Sequence, residues 1–272
     1  MQVAFLILLF VLGACLGSFL CCQARRLHSK ATKPRQKLNR RSICLHCRYQ
    51  LSWYDNLPII SWLFLKGKCR ECHQPIGIAE LLAECGTGLA FLLFGLGSSF
   101  GGVPLTAFNV SPISWWLFGL SLLLIAILAF LAIYDGLYGE LPTFALIIAI
   151  FVAALIVILR ECSAPFAWQS LIDLLFSLLI LGGTYLTLYL ISKGQWVGDG
   201  DWLLGIALAL ALGTPWLAII VLFLSNFLAF IIMFPFVKKT RHAKIYFGPF
   251  MVTAFIIVYS FSTFFCDIIN LW

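Results

Sequence analysis

The sequence predicts an all-α polytopic membrane protein of about eight transmembrane helices, and three observations carry that prediction. Hydrophobic residues make up 62% of the 272-residue chain and charged residues only 11%, with a mean hydropathy of +1.02. A soluble domain of this length needs far more polar surface, because much of its accessible area faces water. The apolar residues fall in blocks of about 18–25, enough at 1.5 Å per residue to cross roughly 30 Å of hydrocarbon. Backbone polar groups in lipid must bond internally, which continuous apolar blocks achieve as helices. The third observation is that the charges lie between the blocks.

The blocks run at about 3–22, 79–98, 114–134, 141–159, 168–191, 201–213, 215–236 and 246–266. The first lacks a basic n-region and is followed by Arg25 and Arg26, the pattern of a retained anchor with its N-terminus outside. Residues 23–78 are the one substantial polar segment, and the block at 201–213 is short. The expected organisation is a first transmembrane helix over 1–22, a cytoplasmic loop over 23–78 and a transmembrane core over 79–272.

The formal net charge of +7 is confined in space. Twelve of the 18 Lys and Arg lie between Arg25 and Arg70. With eight spans and the N-terminus outside, segments 23–78, 134–140, 192–200 and 237–244 are cytoplasmic and hold 17 of the 18, leaving Arg160 outside. That is the positive-inside pattern, and it reads as topology and attraction to anionic lipid instead of a nucleic-acid partner. His28 and His242 belong to the same basic flanks, and the Trp and Tyr residues, including Trp115, Trp116 and Trp216, suit interfacial belts. The expected location is the inner (cytoplasmic) membrane.

Cys44-Leu-His-Cys47 and Cys69-Arg-Glu-Cys72 are two C-x2-C pairs separated by 21 residues. Two such pairs in a short polar loop fit tetrahedral thiolate coordination of zinc, with Arg48, Lys68 and Arg70 nearby to favour the thiolates. Thiol redox chemistry is the alternative for either pair taken alone. Four cysteines close the zinc shell, so the metal is expected to fold the loop and not to activate water. His46 and His73 are potential replacement ligands. Of the other cysteines, Cys162 and Cys266 fall near the outer face, where a disulfide between them is open.

Acidic residues at membrane depth are functional suspects by default. Asp135 ends the third block, and Asp199 and Asp201 open the sixth within Gly198-Asp-Gly-Asp-Trp202. Both places fall at the cytoplasmic boundary, so two spans entering from one side can bring Asp135 and Asp201 together. Carboxylates sharing a site divide the work: one takes a proton from water and the other protonates a scissile carbonyl. Gly198 and Gly200 leave room for a substrate strand to approach. The structural alternative is that Asp199 or Asp201 caps a helix and Asp135-Gly136 forms a turn. Glu84 suits support of a substrate or methyl donor, or a buried hydrogen-bonded role. Glu80 and Glu140 read as interface charges, and Asp173 carries no assigned role.

Gly198-Asp-Gly-Asp201 resembles the G-x-G-D signature of membrane aspartyl proteases, and Asp135, seven residues before Pro142, resembles the first aspartate of type IV prepilin peptidases. Further marks of that family follow in order: Gly17-Ser-Phe-Leu20, Arg41-Ser-Ile-Cys44, Leu51-Ser-Trp-Tyr-Asp-Asn-Leu-Pro58, Cys69 with Cys72, and Glu84. The resemblance covers almost the whole chain. It implies cleavage of the basic leader of prepilins and pseudopilins by Asp135 and Asp201 at the cytoplasmic face. It further implies methylation of the new N-terminus by S-adenosylmethionine, with a structural zinc. One departure is Leu203, where the family usually carries lysine; the change alters the field near Asp201 and bears on substrate tuning more than on protease class.

Three other functions are weighed against this one. A peptidase without methyltransferase activity differs only in the role of the loop and Glu84. A proton-relay transporter would place carboxylates near the bilayer midplane, not at one face. A zinc metalloprotease would need a run such as H-E-x-x-H, which is absent from the sequence.

Overall fold

Helices make up almost all the regular structure, and their order follows the apolar blocks. A computed structural model of the chain describes residues 2–32, 43–44, 46–47, 49–100, 112–162, 167–195, 197–237, 246–262 and 264–265. Arg41, Arg48, His242 and Cys266 lie outside the described residues, as does most of the 237–244 segment, so the Cys162–Cys266 pairing falls outside them too.

The helices are α1 (Gln2–Thr32), α2 (Ile60–Phe64), α3 (Ile78–Phe100), α4 (Pro112–Tyr138), α5 (Thr143–Cys162), α6 (Trp168–Leu178), α7 (Thr184–Ser192), α8 (Asp199–Leu212), α9 (Pro215–Val237) and α10 (Gly248–Ser260). A π-helical turn, Leu179–Gly183, joins α6 to α7 without a break. Among the described residues six helical stretches are long and apolar enough to cross a membrane, and the chain is a multi-pass membrane protein. The expected count of eight is not reached by that measure, because α8 has 14 residues and α10 has 13. At 1.5 Å per residue these are only about 20 Å long.

The helices are sorted as lipid requires. Along α5 the buried positions include Ala145, Ala149, Val152 and Ala153, while Phe144, Ile147, Phe151 and Ile158 are exposed. Small residues let helices approach, and large apolar ones meet the acyl chains. By contrast α8 is enclosed along most of its length: Leu204, Ala207, Leu208 and Ala209 are fully buried. A helix walled in by its neighbours does not itself have to present a full span to lipid.

The chain clusters into two compact units, Met1–Leu92 and Leu93–Trp272. In the N-terminal unit, α1 continues ten residues past the end of its apolar block, through Arg25 and Arg26 to Thr32. No Gly or Pro interrupts residues 23–32, and Pro34 follows. The segment expected to be loop from residue 23 is therefore helical at its start. Gly13 and Gly17 set the crossing of α1 on α3: a side chain at Gly13 would meet the Thr87 carbonyl oxygen at 2.7 Å, and one at Gly17 would strike that of Ala83.

In the second unit, α4 ends where Gly139 adopts φ +70 and donates its N–H to the Asp135 carbonyl oxygen at 2.7 Å. This left-handed closure is typical of helix C-termini. Gly213, also at φ +70, ends α8 in the same way, and Pro215 starts α9. The π-turn lies against α8: a side chain at Gly205 would approach the Leu181 carbonyl oxygen at 3.0 Å, and one at Gly182 the Ile206 side chain at 2.8 Å. Ser177 reinforces the crossing by donating to the Ala209 carbonyl oxygen at 3.0 Å. These contacts fix the helix whose first turn carries Asp201.

Candidate functional site

The four-cysteine loop is two copies of one turn. Ile43 bridges Gln50, and Lys68 bridges Pro75, each pair antiparallel and seven residues apart. The first cysteine of each pair donates its N–H back across the turn, Cys44 to the Tyr49 carbonyl and Cys69 to that of Gln74, both at 2.9 Å. The sulfurs of Cys44 and Cys72 are 3.8 Å apart, those of Cys47 and Cys69 are 3.9 Å apart, and all four lie within 4.8 Å of one another. A tetrahedron with Zn–S bonds of about 2.3 Å has edges of about 3.8 Å, so the donor set fits zinc. His46 and His73 are not part of this cluster.

The thiols of the cluster oppose one another. Burial pushes the Cys44 thiol up, but backbone groups of Cys47 and His46 and the neighbouring sulfurs of Cys47 and Cys69 bring it down to about 6. At Cys47 the Tyr49 backbone favours the thiolate, yet burial and the sulfurs of Cys44, Cys72 and Cys69 push it up to about 12. One thiolate forms at its neighbour's expense, and a bound metal removes that conflict.

Arg70 does not serve the thiolates as expected. Its Nε donates to Asp55 Oδ1 at 3.0 Å, its Nη2 lies 2.8 Å from the same oxygen, and its guanidinium covers the Tyr54 ring at 4.9 Å. Asp55 is buried and also accepts the Ser52 N–H at 3.2 Å. The Leu51–Pro58 segment thus ties the second knuckle to the linker. This pair was missed at the sequence level, although a lone Asp in an aromatic, apolar stretch opposite a basic knuckle was a usable signal.

Glu84 takes up the hydrogen-bonded alternative. It is buried, and Oε2 accepts the Ile59 N–H at 2.7 Å. Ile59 sits at φ 62, ψ −49, and the Ile60 N–H reaches the Pro58 carbonyl oxygen at 2.5 Å. That is a γ-turn of the strained hand, carried by a β-branched residue and held by the Glu84 carboxylate. Glu80, read as an interface charge, forms an ion pair with Arg25 at 2.6 Å.

Asp135 lies in the last turn of α4 and Asp201 in the first turn of α8, and both are buried. Their carboxyls are close enough for their charges to interact. Asp201 Oδ2 accepts the Gly198 N–H at 2.8 Å, so the capping alternative is realised at this residue. Asp135 Oδ2 accepts the Gly248 N–H at 2.9 Å, from the first turn of α10. Each carboxylate is held through one oxygen by a backbone donor at a helix start.

The two glycines of the signature differ in use. A side chain at Gly200 would strike Leu141 Cβ at 2.5 Å, so its missing Cβ lets α8 pack on the α4–α5 connection. The space expected for a substrate strand at Gly200 is filled by Leu141. At Gly198 the nearest atom to such a side chain is the Asp201 carboxylate oxygen, at 3.3 Å. Asp199 is exposed and accepts the Trp202 Nε1–H at 3.4 Å.

Gly248 and Tyr185 were not singled out from sequence. A Cβ at Gly248 would lie 2.7 Å from Asp135 Oδ2. Tyr185 is buried within electrostatic reach of Asp201, bonds Ser225 Oγ at 3.2 Å and packs on Phe247 at 5.5 Å. The Gly-Pro pair opening an apolar block marks a helix start, and so a backbone donor, which was the available signal for Gly248.

Comparison with known proteins places the chain in company. Residues 11–97 match the family described as Bacterial Peptidase A24 N-terminal domain. A prepilin leader peptidase/N-methyltransferase of Klebsiella pneumoniae is 33% identical over 172 residues, 63% of this chain and 68% of that protein. The Myxococcus xanthus protein of the same name is 42% identical over 89 residues, 32% of this chain and 25% of its own length. A type 4 prepilin-like proteins leader peptide-processing enzyme of Escherichia coli is 48% identical over 56 residues, 21% of each chain. The matched segments thus span from about a fifth to about two thirds of these relatives. No solved structure matches the chain.

Proposed function

The chain belongs to the prepilin leader peptidase/N-methyltransferase family, and on that premise we propose that it cleaves the leader of prepilins or pseudopilins with Asp135 and Asp201. The observation that carries the reading is the pair of buried carboxylates at the ends of α4 and α8, each tethered through one oxygen by a backbone N–H. Tethering through one oxygen limits the carboxyl's motion and leaves the second oxygen available for acid–base work.

In the proposed mechanism one carboxylate takes a proton from a water molecule as that water attacks the scissile carbonyl. The other carboxyl protonates the carbonyl oxygen, giving a neutral tetrahedral diol. Collapse breaks the C–N bond as the leaving amine accepts a proton, and the carboxyl pair regains its starting charge. Gly198 and Gly248 hold the two groups in register throughout.

The same reading extends to the substrate and the membrane. A prepilin carries a basic leader before an apolar helix, and that helix lies against the spans with its junction at the cytoplasmic boundary. The chain sits in the inner membrane with its N-terminus outside and its four-cysteine loop in the cytoplasm. Cys44, Cys47, Cys69 and Cys72 hold a structural zinc, which folds a loop too small for its own apolar core. S-adenosylmethionine supplies the methyl group for the new N-terminus.

The test is cleavage of a prepilin by Asp135→Asn and Asp201→Asn variants in membranes, beside wild type. Both variants are expected to be folded and inactive. Folded variants that still cut would assign the two carboxylates a structural role and end the two-aspartate mechanism.

A further inference from the structure

In the N-terminal unit the short helix α2 has two unlike faces. Ser61, Trp62 and Leu65 line a cavity shared with α1 and α3, and the Trp62 ring closes on Gly67, where a side chain would meet it at 2.8 Å. Ile60, Leu63 and Phe64 stand at the i, i+3, i+4 spacing of one helical face, and all three are exposed, Phe64 at 85%. Just before them Trp53, Tyr54 and Leu57 are exposed as well, Trp53 at 78%. A cluster of large apolar side chains left open in this way marks an interaction surface.

Neighbouring residues set the level of α2. Arg25, just past the apolar block of α1, pairs with Glu80 of α3 at 2.6 Å, which marks where both helices leave their apolar stretches. Glu84 lies one turn further into α3, about 6 Å along the axis at 1.5 Å per residue. Gly17, inside the apolar block of α1, packs beside it: a side chain there would meet Glu84 Cα at 3.0 Å. Glu84 Oε2 accepts the Ile59 N–H at 2.7 Å, from the residue just before α2. A helical side chain leans toward its helix N-terminus, so this bond holds Ile59 between the Glu84 backbone and the ion pair. Around these levels α3 itself exposes Ile78 and Leu82. The start of α2 is therefore tied to the edge of the apolar stretch instead of standing out in water.

We propose that the Trp53–Phe64 segment lies in the bilayer interface on the side that carries the four-cysteine loop, with Ile60, Leu63 and Phe64 among the upper acyl chains. Interfacial amphipathic segments bury their apolar face about 5–10 Å into the boundary between headgroups and acyl chains, which matches the level set by Glu84. Charge complementarity names lipid as the occupant. Lys66 and Lys68 follow α2 directly and are exposed, placed to meet anionic headgroups while the face before them sits in hydrocarbon. Trp53 and Tyr54 supply amphipathic rings of the kind that settle at headgroup level. The candidate spans on α1 and α3, which flank the segment in sequence, keep a bilayer within its reach at all times. The loop is thus attached to the membrane at a third place besides α1 and α3, and its two knuckles are held down on the leaflet.

The experiment uses the full wild-type chain in nanodiscs of phosphatidylglycerol and phosphatidylcholine that include a lipid photoreactive on its acyl chain. Peptide mapping is expected to find cross-links within Trp53–Phe64 as well as on the exposed side of α3, at Leu82 and Leu89. Cross-links on α3 with none in Trp53–Phe64 overturn the proposal. A second measurement places an environment-sensitive fluorescent amino acid at position 64 and, as a reference, at position 71, where Glu71 of the second knuckle is exposed. Lipid brominated on the upper acyl chain is expected to quench position 64 by about twofold or more and to leave position 71 unchanged. Water-like, unquenched emission at position 64 overturns the proposal. Apolar emission there that bromine does not quench, and that arises only on adding prepilin or on raising the protein concentration, assigns the face to the substrate helix or to a second copy of this chain and overturns it equally.

Discussion

The Gly248 N–H donates to Asp135 Oδ2 at 2.9 Å, and a side chain at residue 248 would lie 2.7 Å from that oxygen. The bond exists only because residue 248 has no Cβ. Gly248→Ala therefore displaces the Asp135 carboxyl while Pro249 still starts α10. A shift of about 1 Å in a reacting group can cost about 100-fold in rate, and a loss of that order in leader cleavage is expected. Initial rates on a prepilin in membranes check it, and a Gly248→Ala rate near that of wild type would remove Gly248 from the machinery.

Gly200 is used for packing against Leu141, which makes a paired test available. Gly200→Ala alone is expected to push α8 from the α4–α5 connection and carry Asp201 with it. Leu141→Gly vacates the space that the new methyl needs. In a double-mutant cycle the combined variant is expected to regain cleavage relative to Gly200→Ala, with a coupling of about 0.5–3 kcal/mol. Strictly additive losses would show that Gly200 acts through substrate access instead.

The parts of the molecule that were legible in sequence are those set by spacing. Two C-x2-C pairs in a polar loop foretold the sulfur cluster, because each pair closes its own turn. The acidic residues flanking apolar blocks pointed to Asp135 and Asp201, both of which are buried. Partners set by the third dimension were not legible. The Gly248 donor lies 113 residues from Asp135, and Glu84 meets Ile59 across 25 residues. The extension of α1 to Thr32 was missed because hydropathy marks where lipid ends and not where the helix ends. The enclosure of α8 was hidden as well, since lipid-facing and protein-facing apolar residues look alike in composition.

Ile59 and Glu84 allow strain to be measured directly. Ile59 holds φ 62, ψ −49, which a β-branched residue tolerates only under constraint. Ile59→Gly relieves the backbone and is expected to leave stability unchanged or raise it by about 1 kcal/mol, within the 1–3 kcal/mol usual for such outliers. Glu84→Ala removes the acceptor for the Ile59 N–H and is expected to cost about 1–3 kcal/mol. Combining the two tests the link: Glu84→Ala should cost more in the Ile59→Gly background, where no backbone strain is left for the loss of the bond to release. Thermal unfolding in detergent reads each variant, and equal costs in both backgrounds would refute the clamp.

Asp55 and Arg70 should behave as a unit, since the Asp55 side chain is 1% exposed and Arg70 supplies both contacts to Oδ1. Arg70→Ala leaves a buried carboxylate with only the Ser52 N–H, whereas Asp55→Ala removes the buried charge altogether. The expected order of damage to the loop is therefore Arg70→Ala first, with Arg70→Ala/Asp55→Ala milder than the sum of the singles. Limited proteolysis between residues 49 and 76 ranks the variants. A double variant cleaved as fast as additivity predicts would show that the pair is an ordinary surface contact.

Metal removal tests the sulfur cluster without touching the aspartates. Two sulfur pairs across the knuckles lie 3.8 and 3.9 Å apart and all four sulfurs lie within 4.8 Å of one another, a spacing that suits a zinc tetrahedron. The purified chain is expected to carry one zinc. Cys44→Ser is expected to weaken zinc affinity by more than the roughly 10–100-fold typical of changes outside the coordination shell. Chelation should open the Ile43–Gln50 and Lys68–Pro75 turns together, because each knuckle supplies two of the four ligands. Elemental analysis with proteolytic mapping reads both effects: a chelator-treated loop as resistant as the untreated one would mean that the hairpins, and not a metal, hold the cysteines in place.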